Sequence, residues 1–265
     1  MSDRRLTPFS GRVMLDPSRQ EPARIGLPVC DLCPEPGALR DRQVLFGAEV
    51  GVIDRRGGWA FVQARADGYC GWVVEPALSP PVPATHVVSA PATHVYREAS
   101  IKRGEVMRLS LGARVAVTGA EGGFAVTPEG FIPAQHLRPL GQPETDPVAV
   151  AERLLGTPYL WGGNSRDGID CSGLVQLALA LCGRACPGDS DLQAAAFPRL
   201  PEGTRPERGD LLFWKGHVAM ACDAERLIHA NGHTMSVAHE GIAACHARIA
   251  AAGEGPFLGI SRPGG

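Results

Sequence analysis

The stretch Tyr159–Val175, YLWGGNSRDGIDCSGLV, decides the fold of the C-terminal half of this 265-residue chain. It places Cys171 directly after a glycine-punctuated loop and directly before an apolar run with helical spacing. A cysteine at the start of a helix lies near the positive end of the helix dipole and near backbone N–H groups without helical partners. Both favour the thiolate, so we expect Cys171 to be a nucleophile with a lowered thiol pKa.

Two histidines downstream lie on short apolar runs that are typical of neighbouring strands. The pattern predicts His217 as the general base for Cys171 and His229 as the group that fixes the orientation of the His217 ring. His233 is the alternative for the third position, because Asn231-Gly-His233 is a turn beside the same strand. Each residue alone also has an ordinary interpretation, since a buried cysteine often only packs and a histidine often only satisfies a polar neighbour.

Two proline-rich connectors, residues 79–85 and 139–147, divide the chain into segments 24–78, 84–141 and 144–265. Each of the first two segments contains short alternating runs separated by glycine or charged turns, which predicts two small antiparallel barrels. In the first segment the runs are Gln43–Phe46, Glu49–Ile53, Trp59–Ala64 and Tyr69–Val73. In the second they are Glu105–Leu109, Arg114–Val117, Phe124–Val126 and Gly130–Pro133.

The third segment begins with helices and continues with strands, an order that indicates an α+β domain. Asp146 and Pro147 predict a helix start that runs to about Leu155. A second helix is expected from Cys171 to Cys182, ended by Gly183. Strands are expected at Asp210–Trp214, His217–Ala221, Arg226–Ala230 and Leu258–Ser261.

Four phrases of the third segment resemble the NlpC-type papain-like cysteine peptidases of bacterial peptidoglycan. They are Tyr159-x-Trp-Gly-Gly, Gly168-Ile-Asp-Cys-Ser-Gly, Gly209-Asp-Leu-Leu-Phe and His217-Val-Ala with a histidine twelve positions later. The resemblance covers about residues 144–263. It implies Cys171 as nucleophile, His217 as base and His229 as the polar third residue, with Tyr159 beside the nucleophile at the oxyanion region.

The two predicted barrels resemble bacterial SH3-like domains, with Asp67-Gly-Tyr-x-Gly-Trp-Val as the closing phrase of the first. Two such units before an NlpC-type domain resemble the γ-D-glutamyl-L-diamino-acid endopeptidases of murein-peptide recycling. The resemblance implies that the first barrel selects peptides with a free N-terminal L-alanine. Tyr69 is the candidate for contact with this terminus, or else a packed barrel aromatic. Glu35 is the candidate for a charge facing the substrate ammonium.

Further candidates for substrate contact lie beside the nucleophile and in the segment after its helix. The resemblance places Trp161, Asp170 and Ser172 at the substrate, although Asp170 is equally an N-cap for the helix and Ser172 has the same alternative role at the helix start. It also places Asp189 and Ser190 where these recycling peptidases contact D-glutamate. The same segment is ordinarily a turn that caps the next helix.

Composition excludes several classes of function. An apolar content of 44%, a charged content of 20% and a net charge of −2 indicate a globular chain without the basic face that nucleic acid requires. The N-terminal residues 1–13 lack the apolar run of a secretory signal, and no segment has the length of a membrane span. We therefore expect a cytoplasmic protein with reduced cysteines. For a protein in that location, the resemblance implies murein peptides such as L-Ala-γ-D-Glu-diaminopimelate as substrates, and no obligate protein partner is predicted.

No metal or cofactor is expected. Cys30 and Cys33 have metal-like spacing, but only Cys70 accompanies them in the same segment, and a zinc site usually takes four ligands. Two other functions remain open. One is an exported wall endopeptidase that acts on intact peptidoglycan, and the other is a non-catalytic wall-binding protein with an inactive peptidase fold. The complete set Cys171, His217 and His229 argues against the second.

Overall fold

The computed structural model describes residues 3–7 and 20–264. Most of segment 1–13, on which the expectation of no secretory signal rests, lies outside these residues. The chain divides into an N-terminal unit, Met1–Gln142, and a C-terminal unit, Pro143–Gly265. None of the helices in the described part of the chain combines the length and the apolar character needed to cross a membrane.

The first half of the N-terminal unit is antiparallel β-structure. A five-stranded sheet has the order β6-β5-β4-β1-β7, and a separate hairpin pairs β2 with β3. The four predicted strands are confirmed within a few residues. The strands are β1 Glu21–Ile25, β2 Val29–Leu32, β3 Arg42–Leu45, β4 Glu49–Arg56, β5 Trp59–Ala64, β6 Cys70–Val74 and β7 Leu78–Ser79.

The second half of this unit has two further antiparallel sheets, with the orders β10-β9-β14-β13-β12 and β11-β8-β15. The four strands predicted here are also present. The strands are β8 His86–Val88, β9 Ala92–Tyr96, β10 Glu105–Ser110, β11 Arg114–Val115, β12 Gly119–Glu121, β13 Phe124–Thr127, β14 Gly130–Pro133 and β15 Leu137–Pro139.

Phe46 joins the two halves into one compact unit. It follows β3 in the chain, yet its ring belongs to the apolar core of the second half, with Val95, Leu109 and Ile132. Arg24 lies over the Phe46 ring, 5.2 Å from its centroid, and pairs with Glu129 of the second half at 2.7 Å. The division into separate SH3-like domains at 24–78 and 84–141 therefore stays a prediction.

The C-terminal unit packs helices against a five-stranded antiparallel sheet of the order β21-β20-β19-β18-β22. A small hairpin, β16 with β17, precedes the second helix. The helices are α1 Pro147–Glu152, α2 Cys171–Leu181, α3 Ser190–Ala196 and α4 Ile242–Ala252. The strands are β16 Asn164–Ser165, β17 Gly168–Ile169, β18 Leu211–Trp214, β19 His217–Ala221, β20 Arg226–Asn231, β21 Ser236–Gly241 and β22 Phe257–Ser261.

The predicted elements of this unit are confirmed, with small shifts at their ends. Asp146 caps α1 by accepting a hydrogen bond from the Val148 N–H at 3.0 Å, although α1 ends at Glu152, earlier than expected. Gly183, with φ of +72°, follows the last turn of α2 in the left-handed region that favours glycine. Strand β21, which was not predicted, contains Glu240, and the Glu240 side chain lies beside His229.

Candidate active site

Cys171 is the first residue of α2, and Asp170 is the N-cap. One Asp170 oxygen accepts hydrogen bonds from the Gly173 N–H at 2.7 Å and from Ser172 Oγ at 3.0 Å. The other oxygen accepts from the Gly162 N–H at 2.9 Å. Asp170 therefore fixes both the helix start and the preceding loop, and its capping interpretation is confirmed.

Glycines let the loop of residues 159–170 lie against the start of α2. A Cβ atom at Gly173 would meet the carbonyl oxygen of Gly163 at 2.6 Å, and one at Gly163 would meet the carbonyl oxygen of Gly168 at 2.5 Å. Gly162 has φ of +69°, which side chains other than glycine rarely adopt. These close approaches hold the backbone around Cys171 in one arrangement.

Strands β19 and β20 bring the two predicted histidines together. His217 Nε2 lies 2.9 Å from His229 Nδ1, and the two rings meet at 62° with their centroids 5.1 Å apart. The beginning of β19 lies close to Cys171, because the backbone N–H of Val218, the residue after His217, is near enough to the sulfur to lower the pKa of the thiol. His233 is exposed, so the residue paired with His217 is His229.

The protonation state of Cys171 differs from the sequence-based expectation. Only 7% of the residue is exposed, and this burial raises the thiol pKa to about 12, with the Asp170 charge acting in the same direction. Backbone N–H groups of Val218, Ser172 and Cys171 lower the pKa, but less strongly than burial raises it. Cys171 is therefore a neutral thiol at physiological pH, and the expected lowering of its pKa was wrong because the cost of desolvation exceeds the help of the helix start.

Both imidazoles are neutral at physiological pH. Burial, reinforced by His229, lowers the pKa of His217 to about 3. Burial likewise lowers the pKa of His229 to about 4, although the Glu240 carboxylate opposes this. A neutral thiol at Cys171 and a neutral imidazole at His217 are the protonation states from which general-base catalysis starts.

Tyr159 lies near Cys171, and Trp214 lies near His217. Burial raises the pKa of Tyr159 to about 12, and the nearby Cys171 and Asp170 add to this effect. The phenol therefore keeps its proton and remains a hydrogen-bond donor beside the nucleophile. The ring of Trp214, which is 2% exposed, lies 5.8 Å from the His217 ring and shields it from solvent.

The other predicted substrate residues of this unit surround the start of α2 at different depths. Trp161 is 62% exposed in the loop before the nucleophile, whereas Ser172 is 6% exposed and donates to Asp170. Asp189 is the N-cap residue of α3 and Ser190 is its first residue, which confirms that a helix follows this segment. The Asp189 side chain makes no capping hydrogen bond, so the capping part of the prediction is not confirmed. Burial raises the pKa of Asp170, and the charge of Asp189 adds to this effect, which places these two carboxyl groups in the same region.

The two predicted substrate residues of the N-terminal unit differ in exposure. Tyr69 is 2% exposed within the first apolar core, and the Arg42 guanidinium lies 4.9 Å from the centroid of its ring. Burial of this kind favours the packing interpretation for Tyr69. Glu35 is exposed in a turn after β2. Contact of either residue with a substrate stays a prediction.

Three residues around the site escaped the sequence analysis: Gln193, Glu240 and Arg248. Gln193 is fully buried, and its Nε2 donates to the carbonyl oxygens of Ser172 and Pro187, each at 2.9 Å, which ties α3 to the start of α2. Glu240 Oε2 lies 3.1 Å from His229 Nε2 and pairs with Arg248. In the sequence, Glu240 stands out only as an acidic residue in a moderately apolar segment. That pattern does not show that its side chain contacts His229.

Two mixed clusters of possible metal ligands occur in the described residues. One contains Glu152, Cys222 and His239, and the other contains His229, Glu240 and Cys245, with the ligand atoms of each set within 4.8 Å of one another. Arg208 Nη2 lies 3.8 Å from Glu152 Oε2 in the first, and Arg248 pairs with Glu240 in the second. A guanidinium beside the carboxylate disfavours a second cation in either place.

Comparison with known families gives two matches. Residues 156–249 match the NlpC/P60 family, and residues 32–78 match the bacterial dipeptidyl-peptidase Sh3 domain. The first range includes Cys171, His217, His229 and Glu240. The second range includes Glu35 and Tyr69.

Two curated relatives are similar over most of the chain. A γ-D-glutamyl-L-lysine dipeptidyl-peptidase of Bacillus subtilis is 31% identical over 214 residues, which cover 71% of each chain. Dipeptidyl-peptidase 6 of Lysinibacillus sphaericus is 28% identical over 224 residues, which cover 71% of this chain and 79% of the relative. A crystal structure of an NlpC/P60 family protein from Bacillus cereus has the same fold, with a TM-score of 0.75, 21% identity and coverage of 92% of this chain and 99% of the other.

Proposed function

This chain belongs to the NlpC/P60 family of cysteine peptidases, and from that membership we propose that it hydrolyses the γ-D-glutamyl–diamino acid bond of peptidoglycan-derived peptides. The preferred substrates carry a free N-terminal L-alanine, and the reaction belongs to cytoplasmic recycling of cell-wall peptides. The observation that supports this most directly is the pair of histidines, His217 and His229, joined at 2.9 Å beside a helix-starting cysteine.

The reaction is acyl transfer through a thioester. Cys171 Sγ attacks the γ-carbonyl carbon of D-glutamate while its proton passes to His217, and the carbonyl oxygen becomes an oxyanion. The Cys171 backbone N–H and the Tyr159 hydroxyl stabilise this oxyanion. His217 then gives the proton to the departing amine, and the C–N bond breaks. Water then attacks the thioester while His217 takes one of its protons. The C–S bond breaks, the Cys171 sulfur takes the proton back from His217, and L-Ala-D-Glu leaves with a free γ-carboxyl group.

The names of the relatives support this choice of bond. One relative is named for γ-D-glutamyl-L-lysine, and both are named as dipeptidyl-peptidases. A dipeptidyl-peptidase removes two residues from a free N-terminus, so a peptide whose first amine is blocked is excluded. The match to the dipeptidyl-peptidase Sh3 domain at residues 32–78 supports an N-terminal unit that takes part in this selection.

The residues proposed for substrate contact divide between the two units. Trp161, Asp170 and Ser172 are proposed for the groups next to the scissile bond, and Asp189 with Ser190 for the D-glutamyl residue. Glu35 is proposed to face the N-terminal ammonium, since a carboxylate and an ammonium attract each other. Tyr69 is the remaining candidate at that terminus.

The test uses matched peptides and matched variants. The protein is incubated with L-Ala-γ-D-Glu-diaminopimelate, with its L-lysine analogue and with the N-acetylated form of each, and products are followed by mass. We expect L-Ala-D-Glu only from the free-amine peptides. Cys171→Ala should abolish product formation, and Cys182→Ser serves as the control thiol substitution.

Three results would contradict parts of the proposal. Equal cleavage of acetylated and free peptides would remove selection of the N-terminus. Release of peptide from intact sacculi at a rate comparable with free peptides would favour the exported wall endopeptidase. Recovery of the natural gene product outside the cytoplasmic fraction of its own cells would contradict the proposed location.

A further inference from the structure

Glu240 lies behind the histidine pair, on strand β21. The register pairs His229 with Ala238 and Leu227 with Glu240, so Glu240 is a diagonal neighbour of His229 on the same face of the sheet. Its Oε2 atom lies 3.1 Å from His229 Nε2, although the contact is not a well-aligned hydrogen bond. The His229 side chain is completely buried, so this carboxylate is the group placed to receive its Nε2–H.

Helix α4 holds the Glu240 carboxylate in place. Arg248 Nε lies 3.0 Å from Glu240 Oε1, and Arg248 Nη2 lies 2.8 Å from Oε2, which is a two-pronged ion pair. The buried Cys245 thiol, on the same helix, interacts with the same carboxylate. Arg248 lowers the pKa of Glu240, so the group is ionised at neutral pH and acts only as an acceptor.

An ionised Glu240 determines the tautomers of both histidines. A neutral imidazole has one N–H, and a carboxylate beside His229 Nε2 requires the His229 proton to be on that nitrogen. His229 Nδ1 is then an acceptor, so the hydrogen bond of 2.9 Å must be donated by His217 Nε2. The proton of neutral His217 therefore lies on Nε2, and Nδ1 remains as the basic nitrogen for the thiol.

We propose that Glu240, held by Arg248, is a positioning residue that acts through His229 to keep His217 in the tautomer that can accept the Cys171 proton. This proposal rests on the proposed cysteine-peptidase reaction. It adds Glu240 as a fourth residue behind Cys171, His217 and His229. Glu240 does not touch the reacting atoms. Its effect passes through two neutral rings.

The same atoms could be considered as a metal site, because His229, Glu240 and Cys245 place their ligand atoms within 4.8 Å. Arg248 already contacts both Glu240 oxygens, and its charge would repel a cation there. Binding would also require removal of the Cys245 proton, although burial raises the pKa of this thiol to about 12. The arrangement therefore favours an orienting carboxylate over a metal ligand.

The test is a double-mutant cycle with a tautomer measurement. Glu240→Gln keeps the shape but replaces the carboxylate by an amide that can also donate, so His229 can flip its tautomer. We expect kcat on the free-amine peptide to fall by roughly tenfold or more with KM nearly unchanged, since the loss of a tautomer-fixing carboxylate slows the chemical step. Glu202→Gln, at an exposed loop position, is the matched control and should change neither.

His229→Asn separates positioning from simple structural support. An asparagine amide accepts from His217 Nε2 through its oxygen and has no tautomer to be fixed, so Glu240→Gln should cost less than about twofold in kcat in that background. Equal losses in both backgrounds would overturn the proposal. An unchanged kcat in the single Glu240→Gln variant would overturn it as well.

Nitrogen-15 NMR of the histidine rings tests the proposal without any substrate. The wild-type protein should show both His217 and His229 protonated on Nε2, whereas Glu240→Gln should show a mixture at His229. A wild-type His229 protonated on Nδ1 would overturn the proposal even if the peptide is cleaved. Correct tautomers together with no cleavage of any peptide would instead contradict the proposed substrate. Inhibition by one equivalent of zinc that Cys245→Ser removes would favour the metal site and overturn the orienting role.

Discussion

Each unit of the protein contains a largely buried ion pair, and the two pairs contact different kinds of side chain. In the N-terminal unit, Arg42 and Asp67 are only 10% and 5% exposed, and the guanidinium lies over the ring of Tyr69. In the C-terminal unit, Arg248 pairs with Glu240, which also lies beside the His229 imidazole. The ring of Tyr69 has no tautomers, so the pair beside it affects how the ring packs. The imidazole of His229 can carry its proton on either nitrogen, so the pair beside it also affects which nitrogen is protonated.

The difference shows that a buried charge pair is not by itself a sign of catalysis. Removal of one member of any such pair leaves an uncompensated charge and destabilises the fold. A pair that contacts a group with two tautomers can in addition change a reaction by placing the proton of that group. We therefore expect substitutions at the N-terminal pair to lower stability with little effect on kcat. Substitutions around the histidines of the C-terminal unit should lower activity.

The largest expected effect is on the chemistry of the C-terminal unit. His217→Ala should reduce kcat/KM on the free-amine peptide by at least about 10³-fold, because the thiol then has no acceptor for its proton. The loss is measured by product mass over time, with thermal unfolding as the check on folding. His233→Ala, at the exposed rival position, should remain within about twofold of wild type. Similar losses in the two variants would contradict the assignment of the base.

The parts of this site that the sequence predicted depend on contacts close in the chain. The Asp170 cap, the start of α2 at Cys171 and the glycine loop lie within a few residues of one another, so their pattern is local. His217 and His229 are separated by twelve positions, on adjacent strands whose apolar runs are clear in the sequence. Here too the pattern predicted the placement, and His229 lies at His217 as expected.

The parts that the sequence did not predict depend on packing between distant elements. The interaction of Glu240 with Arg248 requires the register of β21 beside β20 and the docking of α4, neither of which any short motif encodes. The raised pKa of Cys171 has the same origin, because burial is a property of the whole C-terminal unit. Phe46 likewise joins two predicted barrels through a core that their separate patterns did not indicate.

The next largest expected effect is the pH dependence of thiol labelling, compared between one buried cysteine in each unit. Burial raises the pKa of Cys171 and of Cys30 to about 12 each, so at pH 7 to 9 both are thiols and the thiolate fraction rises about tenfold per pH unit. Iodoacetamide labelling of Cys171, followed by peptide mass, should therefore increase steadily over this range without a plateau. His217→Ala should leave this pH dependence unchanged, since the thiol is neutral with or without the imidazole.

A different shape of the labelling curve would contradict the neutral pair. A plateau that begins at mildly acidic pH would show a thiolate already formed at rest, as the helix start alone predicts. Labelling of Cys30 measured in the same samples is the internal comparison, because Cys30 has no imidazole partner among the contacts described for it. Parallel curves at the two residues would confirm that burial controls both.

The smallest expected effect on activity comes from the ion pair of the N-terminal unit. Asp67→Asn leaves the Arg42 charge without its carboxylate, and we expect a loss of about 3 kcal/mol in the unfolding free energy of that unit. Denaturant unfolding measures the loss. At a temperature where the variant is folded, kcat should remain within about twofold of wild type, because Arg42 and Asp67 contact Tyr69, whose proposed partner is the substrate N-terminus and not the reacting atoms. A disturbed Tyr69 would therefore change KM more than kcat. A kcat that falls as far as in Glu240→Gln, with folding intact, would show that the pair at Tyr69 also acts on the reaction and would remove the distinction between the two units.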